Sequence, residues 1–155
     1  MSHPEPLAYD SRMTTQLATD LERMCRENGV IALYVFGSRS AEIAARVRSG
    51  KARPEQGFSD VDVGVLLPRD GTLGERERVR LAASIEDLLD VPRVDLVVMG
   101  EASSFLAADV VSGELLVDLS PRETAEFELY ALRRAGDLLP FQRSRIAALL
   151  GEGGK

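Results

Sequence analysis

The sequence predicts a mixed α/β (α+β) domain, with a small mixed sheet of about four strands flanked by helices and a long helix at its C-terminal end. Three observations carry this expectation. Short apolar runs of strand length recur along the chain, at Val30–Phe36, Val61–Leu67, Arg93–Met99 and Glu114–Leu119. Segments with apolar residues at helical spacing alternate with those runs. After the fourth run, Ser120-Pro121 opens a long helical pattern, with Ser120 in the N-cap position and Pro121 in the first turn.

Taken in order, residues 1–11 read as loose. Thr14–Asn28 carries Leu17, Leu21 and Met24 on one helical face, and Asn28-Gly29 supplies a stop. Val30–Phe36 (VIALYVF) is the first strand, broken by Gly37-Ser38. Residues 40–58 read as an inserted basic loop, its first half, Ser40–Val47, able to form a helix and its second half broken by Gly50, Pro54 and Gly57. Val61–Leu67 is the second strand and Pro68-Arg69-Asp70-Gly71 a turn. Glu75–Leu89 fits an amphipathic helix, Arg93–Met99 a third strand, Ala102–Val111 a short helix and Glu114–Leu119 a fourth strand. In the final helix Pro140 is expected to kink or end the run near Leu139, with Phe141–Leu150 resuming it and residues 151–155 disordered. One domain over residues 1–155 accounts for the whole pattern.

Composition narrows the chemistry. A chain of 155 residues buries roughly 70% of its unfolded surface and folds without covalent staples. Cys25 is the sole cysteine and His3 the sole histidine, so an intramolecular disulfide and a Cys/His zinc site are both excluded. Acid–base or metal chemistry therefore falls to carboxylates. With 19 Lys and Arg against 25 Asp and Glu, the formal charge is −6, which argues against wholesale binding to duplex DNA; no direct nucleic-acid partner is expected. No apolar run reaches the roughly 20 residues of a membrane span. The opening residues lack the basic and apolar regions of a signal peptide, so a cytoplasmic protein is expected.

Three features carry chemistry. Gly37-Ser38 sits where a buried strand ends and a helix can begin; glycine permits a sharp turn and a close approach, and a helix start offers N–H groups to phosphate. An ordinary strand-ending turn is the plain alternative. Asp60 and Asp62 are two apart on a strand and so share one face, while Val61 and Val63 take the core face. Two adjacent anions are best reconciled by a cation; Mg²⁺ takes carboxylate oxygens and completes its shell with water and substrate phosphates. Two harmless aspartates at a solvated edge are the alternative, and Gly64 leaves space beside them. Asp95 lies inside an apolar strand, where a carboxylate needs a partner, a metal or a cleft. Arg93 is the structural candidate for that partner.

Together these features are what metal-assisted nucleotidyl transfer requires, with two ions about 3.5–4 Å apart holding a triphosphate and activating a hydroxyl. A third carboxylate bridges to the second ion or serves as base. The string VFGS…SDVDVGVLL…VDLVV resembles the polymerase-β-type nucleotidyltransferase superfamily and, within it, the minimal nucleotidyltransferase (MNT) proteins, over most of residues 30–120. Its signature, Gly-Ser, then Asp-x-Asp, then a single Asp on a later strand, falls on Gly37, Ser38, Asp60, Asp62 and Asp95. The C-terminal stretch RETAEFELYALRRAGDLLPFQ resembles the helix that ends small MNT proteins.

The resemblance implies a polymerase-β-type fold and an MNT antitoxin of an HEPN/MNT toxin–antitoxin pair. It implies Mg²⁺, two ions, held by Asp60, Asp62 and Asp95, and ATP as substrate, its phosphates held by Gly37 and Ser38. It also implies transfer of AMP to a tyrosine of an HEPN-type toxin, with which the chain would assemble. Arg39, next to the turn, is a further candidate for the triphosphate, a surface role being its alternative. Two other readings remain open: a small hydroxylated acceptor such as an aminoglycoside, and an antitoxin that neutralises by binding alone. The chain departs from the family pattern after Gly-Ser, where about twenty residues carrying Arg46, Arg48, Lys51 and Arg53 precede Ser59. Those cations either clamp phosphates, touch a partner or remain solvated. Arg133 and Arg134 read as solvated or interfacial, Phe127, Tyr130 and Leu132 as core or partner contacts, and Cys25 as a small buried residue.

Overall fold

The computed structural model describes residues 14–50 and 60–153. The expectations for residues 1–11, for Lys51 and Arg53, and for residues 154 and 155 lie outside the described residues. In chain order the elements are α1 (Gln16–Glu27), β1 (Ala32–Phe36), α2 (Ser40–Ser49), β2 (Val61–Leu66), α3 (Glu75–Leu89), β3 (Val94–Val98), a 3₁₀ turn (Met99–Glu101), α4 (Ser104–Val111), β4 (Glu114–Asp118) and α5 (Pro121–Gly153). The strands form one sheet in the order β3-β2-β1-β4, in which β1 is antiparallel to both neighbours and β2 runs parallel to β3. The mixed four-stranded sheet, flanking helices and long terminal helix are those the sequence predicts.

Strand alternation sorts the side chains into two cores. Leu33, Val35, Val61, Val63, Val65 and Val117 face α1, α2 and α3, which contribute Leu21, Ile43, Val47, Leu81, Ile85 and Leu89. On the opposite face Ala32, Tyr34 and Leu66 pack with Met99, Val110 and Phe127, which come from the 3₁₀ turn, α4 and α5. Gly64 belongs to this second face. A Cβ there would meet Val110 Cγ1 at 2.4 Å, so the space beside the strand is filled by α4 and is not a place for a ligand.

The helix ends are set locally. Thr15 caps α1 by accepting from Ala18 N (3.0 Å), and its hydroxyl donates to Val47 O (2.6 Å), which ties α1 to α2. Glu77 Oε1 accepts from Gly74 N (2.7 Å) at the start of α3, and Ser103 accepts from Leu106 N (3.2 Å) at the start of α4. At α5 Ser120 takes the expected N-cap position ahead of Pro121, but its side chain is used differently. Ser120 contributes its carbonyl to Thr124 N, but its hydroxyl turns to Glu123; Asp118 Oδ1 instead accepts from Ser120 N (3.2 Å) and Thr124 Oγ1 (2.8 Å).

One boundary agrees with expectation and another needs correction. The first half of the basic segment forms the helix the sequence allows over Ser40–Val47; α2 extends it to Ser49 and is closed by Gly50 at φ +69°. Helix α5 neither ends near Leu139 nor loosens at residue 151; it runs unbroken through Pro140 to Gly153. Pro140 removes one hydrogen bond, to the carbonyl of Gly136 four residues earlier, but both residues are exposed, so water can serve that carbonyl. Among the described residues no helix is long and apolar enough to cross a membrane.

Candidate active site

The site forms where β1 ends and β2 begins. Phe36, the last residue of β1, stands opposite Asp62 across the antiparallel ladder, and Asp62 stands beside Asp95 across the parallel one. Asp62 and Asp95 therefore share a row on the face away from α1–α3, the outcome that buried Val61 and Val63 dictate on the other side. Asp60 lies just before β2 and is exposed. Gly37 follows Phe36 at φ +81°, a left-handed conformation that favours glycine. Space makes the same demand, because a Cβ on Gly37 would lie 2.5 Å from Asp62 Oδ2. The turn backbone is thus pressed against the central carboxylate.

Beyond Gly37 the chain closes a turn through Ser40 N donating to Gly37 O (3.2 Å) and enters α2. Gly37 and Ser38 are exposed, and no side chain caps the N-terminus of α2. That arrangement leaves the positive end of the helix dipole beside the carboxylate row, where an anion is favoured. Arg39 is engaged by its own helix. It is 5% exposed, and its guanidinium donates to Glu42 through Nε (2.9 Å) and Nη2 (3.5 Å). The three-residue spacing of Arg39 and Glu42 at a helix start is the sequence signal for this pair.

The electrostatics show three coupled carboxylates. Burial raises the pKa of Asp62 above the ordinary carboxylate value, and the charges of Asp95 and Asp60 push in the same direction. Asp60 is drawn towards Arg93, whose Nε lies 3.6 Å from Asp60 Oδ2. The sequence offered Arg93 as a partner for Asp95; the register gives it to Asp60, because Arg93 O accepts from Val61 N and so brings residue 93 alongside the start of β2. Among the described residues no group of three or more Cys, His, Asp or Glu side chains converges on an ion-binding geometry. The donor set still fits a hard cation: all donors are carboxylate oxygens, and the mutual repulsion at Asp62 is what a divalent cation would relieve.

Two of the inserted cations have structural work. Arg46 Nη1 donates to Leu89 O, anchoring α2 to the end of α3, and Arg48 Nη1 pairs with Glu114 Oε1 (2.8 Å) on β4. Tyr34 was not singled out by sequence. Two residues before Phe36, it is buried, and its hydroxyl donates to Glu128 Oε2 of α5. Its pKa is raised by burial first and then by Glu128.

The family model described as polymerase beta, nucleotidyltransferase matches residues 19–122, a span that begins inside α1 and contains every element from β1 to β4 and all three carboxylates. The chain belongs to this nucleotidyltransferase family. Its fold also resembles solved structures closely. A chain of a toxin–antitoxin complex with AMP-PNP is 24% identical, with a TM-score of 0.65 over 86% of this chain and 98% of that one. A chain of an MntA–HepT toxin–antitoxin complex is 22% identical, with a TM-score of 0.61 over 86% and 97%. A chain of a complex between tri-AMPylated Shewanella oneidensis HEPN toxin and MNT antitoxin is 23% identical, with a TM-score of 0.62 over 89% and 99%. No curated protein matches the sequence. At these identities the structures establish a shared fold. Family membership makes the chain a nucleotidyltransferase, and the site described above lies within the matched span.

Proposed function

We propose that this nucleotidyltransferase is a cytoplasmic antitoxin that transfers AMP from ATP to a tyrosine hydroxyl of an HEPN-type toxin. The observation that carries the reading is the row of Asp62 and Asp95 against the Gly37 turn. It places carboxylates beside an uncapped helix start, the combination that a metal-bound triphosphate needs. The similarity over most of the chain to complexes that hold AMP-PNP or an AMPylated HEPN toxin supports this choice of donor and acceptor.

In this reading Gly37 and Ser38 bind the ATP phosphates through backbone N–H groups and the serine hydroxyl. Asp60, Asp62 and Asp95 would hold Mg²⁺, two ions, with Arg93 releasing Asp60 for that role. When bound, Mg²⁺ supplies charge neutralisation along the triphosphate and lowers the pKa of the attacking hydroxyl. Asp95 is exposed and accepts the tyrosine proton. The tyrosine oxygen forms a bond to the α-phosphorus, the bond from that phosphorus to the bridging oxygen breaks, and pyrophosphate leaves. Arg39, locked to Glu42 behind the turn, stiffens the phosphate-binding backbone from inside and reaches the triphosphate only if that pair opens.

ATP labelled at the α or the γ phosphate, incubated with Mg²⁺, this protein and its co-expressed toxin partner, tests the proposal. Label is expected on the partner from α-labelled ATP only. Label from the γ position alone would mean phosphoryl transfer, and stable co-purification without label would mean neutralisation by binding.

A further inference from the structure

Helix α5 presents two rows of side chains. The inner row, Thr124, Glu128 and Ala131, faces the body: Thr124 and Ala131 are buried, and Glu128 accepts from Tyr34. The next row round the helix is Ala125, Leu129, Leu132 and Gly136, spaced four, three and four residues apart, and it is exposed throughout. Leu129 is 62% exposed and Leu132 49%. The spacing is that of the apolar seam of a coiled coil, in which a second helix covers the stripe. Small residues at both ends of the seam allow close approach, and a Cβ at Gly136 would meet nothing within 4 Å.

The charges beside the seam say which helix. Glu126 and Arg133 each follow a seam residue by one position, and both are exposed. They have opposite sign and lie seven residues apart on the same flank of the seam, Glu126 three residues before Leu129 and Arg133 one residue after Leu132. In an antiparallel pair of α5 helices, Leu129 of one copy meets Leu132 of the other. Glu126 then lies two residues, about 3 Å along the helix axis, from the level of Arg133 of the second copy, a gap that two long side chains span, and the same pairing occurs twice about the two-fold axis. A self-complementary patch of this kind is what an isologous dimer uses. Among the described residues Glu126 pairs with Arg122 in an open, exposed contact at 3.6 Å, which is easily exchanged. We infer that the exposed face of α5 is the interface of an antiparallel homodimer, with Leu129 and Leu132 at its centre and reciprocal Glu126–Arg133 pairs at its flanks. The inference is independent of the transfer reaction, since the seam lies outside the carboxylate row.

The test is the mass of the purified full chain by sedimentation and light scattering between about 1 and about 300 µM, read without any partner. The expected result is a concentration-dependent doubling of mass. Leu129→Glu should leave a folded monomer with an unchanged circular dichroism spectrum. Glu126→Arg alone and Arg133→Glu alone should each weaken the dimer about tenfold or more, and the two together should restore it. A wild-type chain that stays monomeric over the whole range overturns the proposal. So does a dimer indifferent to Leu129→Glu, and so does a double charge swap that fails to rescue.

Discussion

Gly37 and Asp62 define each other. The left-handed φ of +81° at Gly37, and the 2.5 Å that would separate a Cβ from Asp62 Oδ2, leave no alternative to glycine there. Gly37→Ala is expected to lower stability by about 1–2 kcal/mol through backbone strain alone and to remove nucleotide binding, as read by thermal melting with and without MgATP. Asp62→Asn should reduce transfer by about a hundredfold or more, the order seen when one preorganised charge-stabilising group is lost. The sign of its effect on stability is opposite. Because the folded state raises the pKa of Asp62, the stability tied to that group is full below the ordinary carboxylate range and is lost as pH rises through the raised value. At neutral pH in EDTA, Asp62→Asn should therefore melt higher than wild type; a lower melting temperature would mean that the three carboxylates do not repel as described. Cys25 is inert by the same kind of reasoning: burial pushes its thiol up to about 12, so a thiol reagent should leave it untouched until the chain unfolds.

At the scale of elements, what the sequence could and could not disclose follows from the range of the interaction. Apolar alternation made β2 and β3 readable, and with them the placement of Asp62 on the face opposite Val61 and Val63, because that pattern is local. The α2 segment was harder to place: its short amphipathic face sits among basic residues whose partners, Leu89 and Glu114, lie far along the chain. Pro140 costs α5 one hydrogen bond, but the carbonyl it leaves at Gly136 is exposed and keeps water as a partner, so the helix continues. The Tyr34–Glu128 bond links β1 to α5 across 94 residues, and nothing in the local pattern announces it. Its value is testable. Tyr34→Phe leaves Glu128 without its buried donor and is expected to cost about 1–3 kcal/mol, measured by urea unfolding. Glu128→Gln keeps an acceptor and should cost less.

For the molecule as a whole, the family is legible in five residues, Gly37, Ser38, Asp60, Asp62 and Asp95, and in the apolar strands that hold them. The strand order did not follow from those residues, since β4 returning beside β1 depends on packing across the entire sheet. Nor did the pairing of Arg93 with Asp60, which depends on the register between β2 and β3. What unites the scales is the claim that one row of carboxylates, pressed against one glycine turn, moves AMP onto a partner tyrosine. The most direct test is peptide mass mapping of the toxin partner, purified after co-expression with either the wild-type chain or Asp62→Asn. Adenylyl adducts on a tyrosine with wild type and none with Asp62→Asn are the predicted result. Equal adducts in both, or none with an active wild-type pair, would contradict the account.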